Sequence, residues 1–128
     1  MATPESKIKD AVKAVIAMVP GTWSHWPVQS GMGAPTLDCV GARPCDGRAF
    51  AVETKRPRKR HMITAQQRAT ARAMLAGGVT VFCIDGKGDL DLRLFEAWLK
   101  GTKSDVIEFH IRERIHALVD ISEKDIIE

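Results

Sequence analysis

Apolar residues recur at helical spacing in four stretches of this chain, and most of these stretches are bounded by capping or helix-breaking residues. The first is expected to begin at Thr3-Pro4 and to end at Pro20-Gly21, since threonine is a frequent N-cap and proline suits the first helical position. The second begins at Thr64 and stops at Gly77-Gly78. Two more predicted helices complete the set, at residues 90–100 and 105–120. The last also contains a short alternation typical of a strand, but we interpret it as helix.

Four short runs of β-prone residues separate the first two helices or follow the second, at residues 22–28, 36–40, 50–55 and 79–84. Turn-forming residues at 43–47 allow the second and third runs to pair as a hairpin. The last run is apolar throughout, which is typical of a strand buried on both faces. The order α-β-β-β-α-β-α-α predicts an α/β fold with a mixed central sheet flanked by helices.

The length of 128 residues suits one domain with a substantial core and is too short for two. We predict a single domain over residues 1–128, with a core at about 3–85 and a C-terminal helical extension at about 89–128. No apolar stretch reaches the ~20 residues that cross a bilayer, and the start lacks a signal-peptide pattern. Three cysteines without CxxC spacing do not suggest a zinc site or a disulfide framework. A cytoplasmic location without a membrane partner is expected.

Charge is distributed unevenly along the chain, although its net value is only +3. Residues 43–72 carry nine lysines and arginines against two acids, whereas residues 85–128 carry seven against eleven. A basic middle surrounded by less basic segments suits an anionic polymer as partner, because a cationic field attracts phosphate and speeds encounter.

Two carboxylates and one amine lie inside this basic middle or just before it. In an extended strand Glu53 and Lys55 would share a face, about 6.6 Å apart at ~3.3 Å per residue. The hairpin would bring Asp38, on the preceding β-run, to the same end of the sheet. Two carboxylates beside one ammonium group are the minimum equipment for metal-assisted hydrolysis of a phosphodiester.

The order of these motifs along the chain resembles that of a known superfamily. It consists of an acidic helix residue, a Gly-x-Gly-x-Pro loop, an aspartate strand, an E-x-K strand, a helix opening with glutamine, and an apolar strand: Glu5, residues 31–35, Asp38, Glu53-Thr54-Lys55, Gln67 and residues 79–84. This pattern resembles the PD-(D/E)xK nucleases, most closely the small virus-type replication–repair (VRR-NUC) and phage-encoded members. The resemblance covers about two thirds of the chain and implies a restriction-endonuclease-like αβββαβ core with mixed central sheet. One departure is Leu37, where proline usually precedes the motif aspartate.

The proposed catalytic roles follow from chemistry and from this resemblance. Asp38 and Glu53 are the expected ligands of Mg²⁺ or Mn²⁺, and the resemblance adds the backbone carbonyl of Thr54. Lys55 would hold the attacking water or stabilise the negative charge of the phosphorane-like transition state. Gln67 either orients water or contacts DNA, or serves only the capping box with Thr64. Glu5 either joins the metal site or complements the helix dipole.

Six cations around the E-x-K motif are the expected contacts to nucleic acid, and a solvated loop is the alternative interpretation: Arg56, Arg58, Lys59, Arg60, Arg68 and Arg72. Trp23, His25 and Trp26 could stack on an unpaired base or wedge into a duplex, but tryptophans more often anchor a core or loop.

The sequence therefore predicts a metal-dependent endodeoxyribonuclease with DNA as partner, and RNA is left open. The resemblance to a superfamily with dimeric junction resolvases and flap nucleases adds a junction or flap substrate and a homodimer as expectations. The alternative is a non-catalytic nucleic-acid-binding module that retains the nuclease fold. A third interpretation is a regulatory protein that acts through the acidic tail, but this leaves the central motifs unexplained. Metal-dependent cleavage would separate the first interpretation from the second.

Overall fold

A computed structural model describes residues 3–28, 36–87 and 89–119 of the chain. Within these ranges the elements follow the predicted order of helices and strands, with a short 3₁₀ helix at Arg60–Met62. They are α1 (Pro4–Ala17), β1 (Trp23–His25), β2 (Cys39–Ala42), β3 (Ala49–Thr54), α2 (Ala65–Ala76), β4 (Thr80–Ile84), α3 (Leu90–Leu99) and α4 (Asp105–Val119). The predicted Gly-x-Gly-x-Pro loop at residues 31–35 lies outside the described residues.

The four strands form one mixed sheet in the order β1-β2-β3-β4. Pairs β1–β2 and β2–β3 are antiparallel, whereas β3 and β4 are parallel, because α2 carries the chain back between them. The predicted α/β class with a mixed sheet flanked by helices is confirmed. Parallel pairing brings the C-terminal ends of β3 and β4 to the same edge of the sheet.

Each face of the sheet has its own hydrophobic core. Alternate residues Phe50 and Val52 of β3 pack with α1 and α3, and their aromatic neighbours meet edge-to-face: Phe82, Phe95 and Trp98. Ala51 faces the other way and packs with α2 and the end of α4. We call the second side the α2 face. Helices α3 and α4 contribute to the cores, so both belong to the packed domain.

The structure corrects the second predicted strand, which was expected at residues 36–40. β2 begins only at Cys39, because the chain bends at Asp38. Leu37 is buried in the core of the α2 face, whereas Cys39 is buried in the opposite core, so strand alternation is broken between them. β1 is also shorter than predicted, and β3 ends at Thr54, one residue before Lys55.

The helical interpretation of residues 105–120 is confirmed by α4, which buries Ile111, Leu118 and Val119. In the described ranges no helix combines the length and apolarity that crossing a membrane requires. Cys39 and Cys83 are buried free thiols, and burial raises the pKa of each to about 12. Cys45 is a free thiol at the surface.

Candidate active site at the end of the central strands

Two polar residues are buried at the C-terminal end of β3, where an otherwise apolar strand reaches the edge of the sheet. Glu53 is 3% exposed and Thr54 is fully buried. Glu53 alternates with Val52, so its side chain lies on the α2 face, next to Cys83 of the parallel neighbour β4. A buried carboxyl needs compensating partners, and the surrounding residues show which ones it has.

Asp38 approaches this strand end from the bend before β2. Its Oδ2 accepts the backbone N–H of Thr54 at 2.9 Å and the hydroxyl of Thr54 at 2.8 Å. The amide that would continue the β2–β3 ladder is therefore satisfied by a side chain. Two donors from one residue fix the position of the Asp38 carboxylate over the end of β3.

Glu53, Lys55 and Gln67 form a closed set of polar contacts on the α2 face. The side-chain amide of Gln67 donates to Glu53 Oε2 at 2.8 Å, and the ammonium of Lys55 donates to Gln67 Oε1 at 2.9 Å. Lys55 Nζ also lies 3.4 Å from Glu53 Oε2. One glutamine thus connects the acid to the amine, and its donor and acceptor ends face the groups they suit.

The capping box of α2 holds Gln67 in this orientation. Thr64 accepts the backbone N–H of Gln67 at 3.0 Å, and the backbone N–H of Thr64 donates to Gln67 Oε1 at 2.9 Å. The predicted box is therefore present. The capping role of Gln67 does not exclude a role at the site, because the same side chain both caps the helix and contacts Glu53 and Lys55.

Burial, with a smaller contribution from the nearby charge of Asp38, raises the pKa of Glu53 to about 7, although Lys55 and a hydrogen bond from the Asp38 backbone act to lower it. The ammonium of Lys55 and the hydrogen bonds to Glu53 therefore do not fully offset its burial beside a second acid. A divalent cation would lower the pKa of Glu53 and stabilise both carboxylates. The carboxylates of Asp38 and Glu53 would supply hard oxygen donors of the kind that Mg²⁺ and Mn²⁺ prefer, so the residues present fit such an ion.

Glu5 and the cations lie in different settings. Glu5 is half-buried in the first turn of α1, and within the described residues no hydrogen bond or ion pair joins it to Asp38 or Glu53. Arg56 and Arg58 are exposed in the loop after β3, and Lys59 is half-buried beside them. Arg58 has a φ of 64°, a left-handed conformation that is uncommon for arginine.

Arg60 turns towards the protein interior, which the sequence did not predict. Its guanidinium donates to the carbonyls of Cys83 and Arg114 and lies 3.2 Å from Asp91, while its backbone N–H donates to Asp85 at 3.0 Å. These contacts join the basic loop to α3 and α4. The charge of Arg60 is thus engaged inside the protein, and we do not count it among the phosphate contacts.

Two arginines of α2 are also held by the fold. Arg72 donates from Nε to the carbonyl of Val119 at 3.0 Å and so joins α2 to the end of α4. Arg68 is half-buried, and its buried Nε has no hydrogen-bond partner among the described residues. The exposed loop cations Arg56 and Arg58, with Lys59, are therefore better placed to meet phosphate than this helix is.

An aspartate cluster after β4 escaped the sequence analysis, in which this segment was only a turn. Carboxylate oxygens of Asp85, Asp89 and Asp91 lie within 4.8 Å of one another. Asp91 is 4% exposed and accepts from Arg114 at 2.6 and 2.9 Å as well as pairing with Arg60. The carboxylate of Asp89 accepts the backbone N–H of Leu92 at 3.0 Å and so caps α3. Each aspartate already has a structural partner, so the cluster is accounted for by folding. The spacing of three acids in seven residues was its signal in the sequence.

Comparison of the chain with protein-family models, with curated proteins and with solved structures finds no match. The geometry at the end of β3 is therefore the basis for inferring a function.

Proposed function

We propose that the protein is a metal-dependent endonuclease of the PD-(D/E)xK type that hydrolyses phosphodiester bonds in DNA. The observation that carries the proposal is the cluster at the end of β3. There the Asp38 carboxylate lies 2.9 Å from the backbone nitrogen of Thr54, and Glu53, the residue before Thr54, is 3% exposed with an oxygen 3.4 Å from the Lys55 ammonium. A binding surface gains nothing from two acids that would repel phosphate. A hydrolytic site needs them to hold a cation.

The roles of the side chains follow from their contacts. Asp38 and Glu53 would hold Mg²⁺ or Mn²⁺ with the carbonyl of Thr54, and when bound the ion would activate water and polarise phosphate. Thr54 keeps the Asp38 carboxylate in place through two hydrogen bonds. Lys55 presents a positive charge to the developing negative charge on the phosphate, and Gln67 orients that amine.

The loop after β3 supplies attraction for the substrate. Arg56 and Arg58 are exposed in the loop that directly follows Lys55. A nucleic acid whose phosphates contact them would therefore lie near the C-terminal end of β3. The proposal also includes four finer points: a restriction-endonuclease-like αβββαβ core, a relationship to the VRR-NUC nucleases, a homodimer and a cytoplasmic location.

The test combines the purified protein with single-stranded, duplex, flap and four-way-junction DNA, and with RNA, in Mg²⁺ or Mn²⁺. We expect cleavage by the natural chain, abolished by Asp38→Asn and by Lys55→Ala, while binding of the same DNA is retained. Asp46→Asn is the matched control, since Asp46 is an exposed acid at the other end of β3.

A contradicting result would be DNA binding without cleavage in either metal, unaltered by Glu53→Ala. The protein would then be a non-catalytic nucleic-acid-binding module. Cleavage that persists at the natural rate in Asp38→Asn would place the reaction elsewhere.

A further inference from the structure

The edge strand β1 presents two aromatic rings to solvent. Trp23 is 61% exposed, and His25 is exposed beside it. Their ring centroids are 6.4 Å apart and the ring planes are inclined by 17°. A single exposed apolar residue needs no explanation, but two neighbouring rings in a stacked arrangement form a flat aromatic surface that a planar group can cover.

Trp26, the residue directly after His25, shows the contrasting case. Trp26 is half-buried and packs against the core on the sheet face opposite the α2 face. The ammonium of Lys13 lies 4.9 Å from its ring centroid. Of the two sequence interpretations, the anchoring role therefore fits Trp26. It does not fit Trp23, whose ring is mostly exposed.

The register of the sheet sets the ring pair on the same face as Glu53. Trp23 pairs with Ala42 and His25 with Val40, and Val40 in turn pairs with Ala51 on the α2 face. Partners directly opposite each other share a face, and so do residues two apart in a strand, which carries the relation from Ala51 to Glu53. Both rings thus lie on the side of the sheet that holds the candidate catalytic acid.

β1 is held close to β2, so the backbone that carries the rings of Trp23 and His25 has a fixed position. A Cβ at Gly41 would lie 2.2 Å from the carbonyl oxygen of Trp23 and 2.5 Å from the ring of Phe50. Only glycine allows this approach of the backbone of β1 over the Phe50 ring. The strand that carries the two rings is therefore packed against the core.

The distance between the ring pair and Glu53 suits a nucleic-acid strand that contacts both. With strands ~4.8 Å apart and ~3.3 Å per residue, the backbones of His25 and Trp23 lie about 12 and 16 Å from that of Glu53. A stacked strand advances ~3.4 Å per nucleotide, so this distance corresponds to roughly three to five nucleotides. The exposed cations Arg56 and Arg58, in the loop that follows β3, complement the negative charge of the phosphates of such a strand.

We propose that Trp23 and His25 form a stacking platform for unpaired bases on one side of the scissile phosphodiester, so that the substrate is single-stranded DNA or a duplex with a single-stranded branch. The proposal rests on the nuclease function proposed above and narrows its substrate. Bases inside a continuous duplex have both faces covered by neighbours, whereas unpaired bases offer a free face to an aromatic ring.

The test measures binding of labelled oligonucleotides to Trp23→Ala and Trp23→Phe, with Phe109→Ala as control. Phe109 is 53% exposed on α4, so its truncation removes a comparable exposed ring far along the chain. We expect Trp23→Ala to weaken binding of single-stranded DNA by about 5- to 100-fold, with Trp23→Phe close to the natural chain. Blunt duplex binding should change less than threefold in every variant.

An abasic scan identifies the stacked base. An oligonucleotide lacking one base at the contact position should bind the natural chain as weakly as the intact oligonucleotide binds Trp23→Ala. The two losses should not add, because they remove the same contact. Tryptophan fluorescence should be quenched by single-stranded DNA in the natural chain, and this quenching should be smaller in Trp23→Phe.

The outcomes separate this proposal from the nuclease proposal. Cleavage that depends on Asp38 but is identical in Trp23→Ala on single-stranded, flap and duplex DNA would overturn the platform alone. No cleavage of any substrate, with Trp23-dependent binding and quenching intact, would overturn the nuclease and support base stacking. A concentration-dependent dimer that Trp23→Ala dissociates, with oligonucleotide binding unchanged, would assign the rings to contact between copies and overturn the platform.

Discussion

Both ends of β3 carry an acid–base pair, but the two pairs have opposite electrostatics. Before the strand, Arg43 donates to both oxygens of Asp46 at 2.7 and 2.8 Å, and this exposed pairing holds the pKa of Asp46 well below its usual range. After the strand, Lys55 lies 3.4 Å from Glu53, yet burial raises the pKa of Glu53 to about 7. Charge pattern alone would have treated the two pairs alike.

The difference lies in burial and in the presence of a second acid. Asp46 keeps its hydration and gains a bidentate guanidinium, whereas Glu53 loses its hydration and has Asp38 nearby. A carboxyl that the fold buries without full compensation is costly and therefore points to a role other than stability. The pair at the C-terminal end is thus the functional candidate, and the pair at the N-terminal end is a turn contact.

The largest expected difference is in cleavage. Glu53→Gln removes a metal-binding charge with little change of shape, and we expect the single-turnover rate on single-stranded or flap DNA to fall by about 10²–10³-fold. Asp46→Asn, the same change at the other pair, should leave the rate within a factor of about 2. Equal rates in the natural chain and Glu53→Gln would remove the distinction between the two ends.

The second difference is in the pH dependence of stability. The folded-state pKa of Glu53 is raised from 4.5 to about 7, so between these values the folded state binds more protons than the unfolded state. Stability should therefore fall as pH rises through this window, by at most about 3 kcal/mol. Asp46 behaves oppositely, since its lowered pKa contributes stability above its usual range that is lost on acidification.

Urea unfolding at pH 5 and pH 8 without divalent ions measures this effect. The natural chain should lose more free energy of unfolding between these pH values than Glu53→Gln does, while Asp46→Asn should follow the natural chain over the same range. A natural chain and a Glu53→Gln variant with parallel pH profiles would show that Glu53 is ionised in the folded protein at pH 5.

A third difference concerns Mg²⁺ and Mn²⁺. An ion that binds only the folded state stabilises it by about 2.7 kcal/mol at 100 times its Kd, so the melting temperature should rise with metal concentration. Glu53→Gln and Asp38→Asn should lose most of this rise, while Asp46→Asn should retain it. A rise that is equal in all four proteins would place the bound ion away from β3.

The sequence predicted the main features of this arrangement because they depend on local signals. Alternation and capping residues define the helices and β3, and the hairpin turn makes the approach of Asp38 to Glu53 a short-range consequence. The capping box likewise fixes Gln67 from residues only three positions apart. The part of the site formed by β2, β3 and α2 could therefore be predicted without knowledge of the tertiary packing.

The features that escaped prediction depend on contacts between distant segments. Arg60 ends a run with five cations at residues 55–60, but its acceptors are on β4, α3 and α4, and no local pattern indicates them. The bend at Asp38 follows from the burial of Leu37 and Cys39 in opposite cores, which only the assembled sheet reveals. The raised pKa of Glu53 is likewise a property of burial and could not be read from its neighbours in the chain.

The smallest expected difference is between the two loops that flank β3, and it concerns the backbone. The loop before β3 uses Gly47 at a φ of 77°, whereas the loop after it uses Arg58 at 64°. A left-handed residue with a Cβ costs about 1–2 kcal/mol, and no atom lies within 4 Å of a Cβ added at Gly47. Arg58→Gly should therefore stabilise the fold by about 1 kcal/mol, and Gly47→Ala should destabilise it by a similar amount.

The same two variants separate strain from charge. Arg58→Gly should also weaken binding of single-stranded DNA and lower the slope of log affinity against log salt by about 1, since one phosphate contact is lost, whereas Gly47→Ala should change neither. Chemical unfolding together with salt titration of binding measures both effects on the same proteins. If Arg58→Gly gains stability but binds DNA with an unchanged salt slope, the strained arginine does not contact phosphate, and the attraction must come from Arg56 and Lys59. If Arg58→Gly gains no stability but its salt slope falls by about 1, the left-handed conformation costs less than the ~1–2 kcal/mol typical of a residue with a Cβ. The contact with phosphate alone then accounts for arginine at this position.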